Sequence, residues 1–95
     1  MAEAGSTPAA RQRLDKWIWF ARVVKTRSLA ASLIEAGHVR VNGAKIDAPG
    51  RAVKVGDVLT ISLERQVRVL KILDCGERRG PYEKARHLYE ELTAP

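Results

Sequence analysis

The chain has 95 residues, 17 Lys+Arg against 11 Asp+Glu, and a formal net charge of +6. That length suits one small domain with a modest core, which excludes a large two-lobed enzyme. The longest apolar run, 17–21, is far short of the ~18 residues a membrane helix needs, and a lone Cys75 excludes an internal disulfide scaffold.

Residues 1–12 lack hydrophobic periodicity and read as a flexible tail. The first ten contain Glu3 and no Lys or Arg, so no signal peptide is expected. A helix is predicted from Leu14, because Leu14, Trp17, Ile18 and Ala21 repeat at i, i+3, i+4, i+7. Asp15 sits in its first turn, where a carboxylate suits the positive helix end. Trp17 faces the core. Trp19 lies on the polar side, open to two readings: a stacking surface, or a packing contact with Tyr82 or Tyr89.

Thr26 reads as the N-cap of a second helix carrying Leu29, Ala30, Leu33, Ile34 and Ala36. Gly37 follows as its left-handed terminator. Segments 38–41 and 44–47 flank Asn42-Gly43, a strong hairpin signal. Pro49-Gly50 and Gly56-Asp57 mark turns. Strands are predicted over 58–63 and 66–73, then a loop over 74–80. A last helix opens at Pro81, with Tyr82, Ala85, Tyr89 and Leu92 at helical spacing. The order is α+β. The expected divisions are a tail over 1–12, a domain over 13–73, and a loop with a packed C-terminal helix over 74–95.

The charge is one-sided. Residues 1–54 carry ten basic and four acidic side chains; residues 55–95 carry seven of each. Arg11, Arg13, Lys16, Arg22, Lys25 and Arg27 crowd one stretch against Asp15 alone. Such a cluster is the footprint of a polyanion, and nucleic acid is the expected partner. Arg supplies a planar fork for phosphate oxygens and Lys a compact charge. Arg27 falls in the first turn of the second helix, beside unpaired backbone N–H groups. Arg40 and Lys45 flank the Asn42-Gly43 turn, where Gly43 admits a close approach. His38 lies beside Arg40. Asn42 reads either as a turn residue or as a contact.

Catalysis has little to stand on. His38 and His87 lie far apart, and neither has metal-ligand spacing to a Cys or carboxylate. No phosphate-loop, G-x-S-x-G or H-E-x-x-H motif is present. A non-enzyme without metal or cofactor is expected, in a reducing cytoplasm given the single thiol. The same features admit two alternatives: a DNA-binding helix-turn-helix, and a non-catalytic interaction module. The first is weakened by Ser28-Leu29-Ala30-Ala31-Ser32, which offers no Arg, Asn or Gln to read bases.

Arg13-Leu14-Asp15-Lys16, Arg22, Thr26-Arg27, Leu33-Ile34 with Gly37, Val39-Arg40-Val41-Asn42-Gly43 and Val55-Gly56-Asp57 together resemble the RNA-binding domain of the ribosomal protein S-four type. The likeness covers roughly residues 13–63 in register. Leu14-Asp15-Lys16-Trp17-Ile18-Trp19, Lys25-Thr26-Arg27-Ser28-Leu29-Ala30 and the 80–91 segment are similar to the ribosome-associated heat-shock protein fifteen family. The resemblance implies two helices packed on a small curved antiparallel sheet, the αL motif. It implies binding of structured RNA, ribosomal RNA on the large subunit, and a role in recycling stalled subunits under heat stress. It places Arg13, Lys16, Arg22, Lys25, Thr26, Arg27 and Ser28 on the RNA surface, with His38, Arg40, Asn42, Gly43 and Lys45. Members of that family often continue into a basic C-terminal extension, whereas residues 74–95 here carry no basic excess. No residues are left for an accompanying catalytic domain, and a monomer is expected.

Overall fold

The computed structural model describes residues 11–75 and 82–93. Strand β1 (Arg11–Arg13) runs directly into helix α1 (Leu14–Phe20), and helix α2 (Arg27–Glu35) follows a short turn. Strands β2 (Val39–Val41), β3 (Ala44–Ile46), β4 (Ala52–Lys54), β5 (Val58–Ser62) and β6 (Val67–Ile72) come next. Helix α3 (Tyr82–Ala85), a 3-10 turn (Arg86–Leu88) and strand β7 (Tyr89–Glu91) complete the chain. Strands β3-β2-β5-β6-β7 form one antiparallel sheet, and β1 pairs with β4 in a separate ribbon.

The core follows from periodicity. Leu14, Trp17, Ile18 and Ala21 bury the inner stripe of α1, and Ala30 and Ile34 that of α2. Val39, Val41, Ile46, Leu59, Ile61, Leu70 and Ile72 come from alternate positions of the sheet. Trp17 is fully buried; its indole N–H donates to the Asp74 carbonyl at 2.9 Å, and its ring meets Tyr89 edge-on at 6.3 Å. The helix boundaries match the sequence signals: Thr26 Oγ1 accepts from the Leu29 N–H at 3.1 Å, and Gly37 has φ +85°. Asn42 and Gly43 both have positive φ, as a two-residue hairpin turn requires.

Two segments differ from the sequence expectation. Arg11 and Gln12, placed in the tail, pair with Lys54 and Val53, the latter buried. Arg-Gln-Arg has no apolar alternation, so nothing in its pattern announces a strand. The predicted long C-terminal helix is cut short after Ala85, and Tyr89–Glu91 joins the sheet. Strand β6 otherwise presents an unpaired edge. Glu91 pairs with Leu70, the Leu92 N–H donates to the Val69 carbonyl at 2.7 Å, and the Arg68 fork grips Glu91. The Tyr89 and Leu92 spacing is strand contact that coincides with a helical interval. The proposed helix start at Pro81, the Tyr82 side chain and residues 1–10 lie outside the described residues.

Candidate nucleic-acid interface

The basic residues of the helix pair are organised by a carboxylate. Asp15 is buried at the start of α1. It accepts from Arg13 Nε and Nη2, both at 3.1 Å, and Arg27 Nε lies 3.8 Å away. One buried anion thus holds two guanidinium groups from different elements, while their side chains remain 55% and 43% exposed. The bond to Asp15, foremost, raises the Arg13 pKa above its ordinary value. The Arg13 guanidinium also lies over Gly50, 3.6 Å from where a Cβ would stand. The sequence reading gave Asp15 only a helix-end role. The signal it missed is that an acid one residue after Arg-Leu can bind a neighbouring arginine and a second one across the turn.

Lys16 sits 5.6 Å from the Phe20 ring centroid, and Phe20 stacks on Trp19 at 5.3 Å. Trp19 is half-buried on this aromatic pair; it is Trp17 that meets Tyr89. Arg22, Lys25, Thr26, Arg27 and Ser28 are exposed around the turn between the helices. Arg22 has φ +60°, a left-handed position that usually favours glycine. It follows the last turn of α1, where a cation suits the negative helix end.

The hairpin forms a second group. Arg40 and Lys45 face each other across the β2–β3 ladder on the exposed side. Arg40 Nη1 donates to the Gly43 carbonyl at 3.3 Å. Lys45 reaches back over the end of α2: a Cβ at Gly37 would lie 2.5 Å from Lys45 Cε. The hairpin cations therefore gather at the C-terminal end of α2 and the arginine pair at its N-terminal end. Nine helical residues separate the groups by roughly 14 Å. His38 is exposed at the start of β2, and its carbonyl accepts from the Ser62 N–H.

Asn42 has a defined internal task. Its Nδ2 donates to Asp57 Oδ1 at 3.1 Å, and its Oδ1 accepts from the Val58 N–H at 2.9 Å. Asp57 also accepts from the Lys54 N–H and ammonium, each at 3.1 Å. These bonds account for the turn role of Asn42, which remains exposed beside Gly43. Burial, then the charges of Asp74 and Asp57, push the Cys75 thiol up from its ordinary value. His87 is exposed on the 3-10 turn. Among the described residues, no group of three or more His, Cys, Asp or Glu could hold a metal ion, and no helix is long and apolar enough to cross a membrane.

The S4 domain model matches residues 12–59, which contain both basic groups. The chain belongs to the S4 domain family. Its likeness to heat shock protein 15 extends past that segment. The Escherichia coli (strain K12) heat shock protein 15 is 40% identical over 86 residues, covering 90% of this chain and 64% of that protein. The Aeromonas salmonicida homolog is 43% identical over 82 residues, 86% of this chain and 61% of that protein. The chain thus spans somewhat under two thirds of these curated relatives. The solved heat shock protein 15 of Vibrio cholerae, described as trimeric, superposes with a TM-score of 0.81 at 35% identity, covering 86% of this chain and 82% of that one. Small ribosomal subunit protein uS4 of Xanthobacter autotrophicus is 39% identical over 72 residues, 74% of this chain and 35% of that protein. The fold expected from the sequence, helices on an antiparallel sheet, is the one observed.

Proposed function

We propose that the chain is a non-enzymatic cytoplasmic protein that binds structured RNA, ribosomal RNA of the large subunit, through its helix pair and first hairpin. The carrying observation is the convergence of Arg13 and Arg27 on buried Asp15 within the S4 segment. A carboxylate that hydrogen-bonds the Arg13 fork and ion-pairs with Arg27 while leaving both exposed lowers the ordering cost of a phosphate site. Apart from Arg27, which is ion-paired with Asp15, the exposed surface of α2 carries Ser28, Leu29, Ser32 and Glu35. That set does not read a DNA major groove, which favours RNA over the helix-turn-helix alternative. The likeness to heat shock protein 15 and to a ribosomal protein supports ribosome association; recycling of stalled large subunits under heat stress is the role proposed for this chain.

The deciding experiment is RNA affinity against salt for the full chain and for Arg27→Ala. With about five phosphates neutralised, the log–log slope is near −3.5 to −4.5; losing one reduces its magnitude by about 0.7–0.9. Unchanged affinity in Arg27→Ala with unchanged circular dichroism would remove the helix-pair assignment. Sedimentation with large subunits from heat-stressed cells tests the recycling role; recovery only with messenger or transfer RNA counts against it. A monomer is the proposed state, since copies with a net charge of +6 repel at low salt. A trimer in analytical ultracentrifugation would overturn it.

A further inference from the structure

Beyond both basic groups lies a cavity of about 300 Å³ between the β1–β4 ribbon and the hairpin turn, lined by Arg11, Arg51, Ala52, Val53 and Lys54 with Asn42 and Asp57. We propose that this cavity docks one backbone phosphate of the RNA, as a third contact continuous with the hairpin. The inference rests on the RNA-binding reading and extends it to residues outside the helix pair.

Three observations carry it. First, Arg11 stands directly opposite Lys54 in the antiparallel register. With Lys54 paired to Asp57, Arg11 is the cation of that cross-strand pair left without a counter-charge, and an anion would supply one. Second, the one acid in the cavity is already neutralised. Asp57 is buried, with Oδ1 taken by Asn42 and the Lys54 ammonium and Oδ2 by the Lys54 N–H. The positive excess therefore falls on Arg11 and Arg51, neither of which has an ion-pair partner among the described residues. Third, Asn42 belongs both to the cavity wall and to the turn that carries Arg40 and Gly43. A strand leaving the hairpin surface meets this cavity next. Arg11 and Arg51 both line this polar cavity, and a guanidinium fork matches the oxygens of a phosphate diester.

The test compares salt slopes for wild type, Arg11→Gln/Arg51→Gln and a distal charge control, Arg65→Gln/Lys84→Gln, both control residues being exposed and remote in sequence from the cavity. Loss of one phosphate reduces the slope magnitude by about 0.7–0.9 and affinity about ten-fold in the first variant. The control leaves both nearly unchanged. An equal drop in the control makes the effect one of net charge and overturns the cavity. So does no drop in the cavity variant, and if Arg27→Ala still weakens binding, the wider RNA reading survives. If the double variant is unfolded by circular dichroism, Arg51→Gln alone carries the test with a smaller drop in the same direction. Inorganic phosphate that binds the wild type but not the cavity variant, and leaves RNA affinity unchanged at matched ionic strength, would assign the cavity to a small anion and overturn RNA docking there. No salt-dependent RNA affinity in the wild type overturns both readings.

Discussion

Asn42 and Asp57 show how two residues that look like separate turn formers act as one device. Asn42 bridges from the hairpin turn to the Asp57 carboxylate and to the start of β5, and its own N–H donates to the Val58 carbonyl at 2.8 Å. Replacing Asn42 by Ala leaves the Val58 N–H and one Asp57 oxygen short of a partner. The expected cost is about 1–3 kcal/mol, seen as a lower urea midpoint with an unchanged slope. Burial pushes the Asp57 carboxyl up, but hydrogen bonds from Asn42 and from the Lys54 N–H and ammonium outweigh it and hold the pKa below its usual value. A depressed carboxylate contributes stability that is full above its unfolded pKa and lost as pH falls through the folded one. The Arg68 hydrogen bond lowers Glu91 against its burial, adding the same sign. Stability is therefore expected to fall below about pH 4, and Asp57→Asn to flatten that acid limb in urea melts taken across the range. Equal acid sensitivity in the variant would take the effect away from Asp57. The turn role of each residue was legible from Asn-Gly and Gly-Asp. The bond joining them was not, because fifteen residues separate them and only the β2–β5 register brings them together.

At the scale of elements, the strongest sequence signals were those with a local physical cause. Thr26 caps α2 and Gly37 ends it as their residue types require. Thr26→Ala is expected to cost about 1 kcal/mol, measured by thermal unfolding, because the Leu29 N–H loses its acceptor. Gly37→Ala is expected to cost about 1–2 kcal/mol for the left-handed φ alone, and it also forces the Lys45 stem away. Elements with a non-local cause were the ones missed. Strand β1 exists because β4 offers it a partner, and β7 because β6 has an edge to close. Neither fact is encoded within ten residues of the strand itself. The same division holds for the site: the identity of the basic residues was legible, while their sorting into groups at the two ends of α2 and beside β4 was not. The β7 assignment is itself testable. Glu91→Ala removes the Arg68 fork and should speed hydrogen exchange at the Leu92 amide while leaving the Leu59 and Ile61 amides protected. Uniform acceleration across the sheet would mean that β7 is part of the global unfolding unit rather than a separately opening edge.

For the whole molecule, the +6 charge places fold and ligand in opposition. Cations face one another across two ladders, Arg40 against Lys45 and Arg11 against Lys54. Buried Asp15 and Asp57 offset some of this charge but not all of it. Such a surface repels itself, so screening should stabilise the fold: moving from low to moderate salt shortens the Debye length from about 30 Å at 0.01 M to 10 Å at 0.1 M. Thermal unfolding is therefore expected to rise by a few degrees over that interval, about 1 kcal/mol for a domain of this size. RNA affinity over the same interval should fall, because each phosphate contact loses the entropy of counterion release. The two trends share one cause, which makes them jointly testable. Adding RNA at low salt supplies the missing anions, so the largest RNA-induced rise in melting temperature is expected at 0.01 M and the smallest at the highest salt. Differential scanning measurements with and without RNA at each salt concentration check this. A melting temperature that falls as salt rises from 0.01 to 0.1 M, or an RNA-induced shift that does not change with salt, would show that the surface cations are not mutually repulsive in the folded state and that phosphate contacts do not dominate binding.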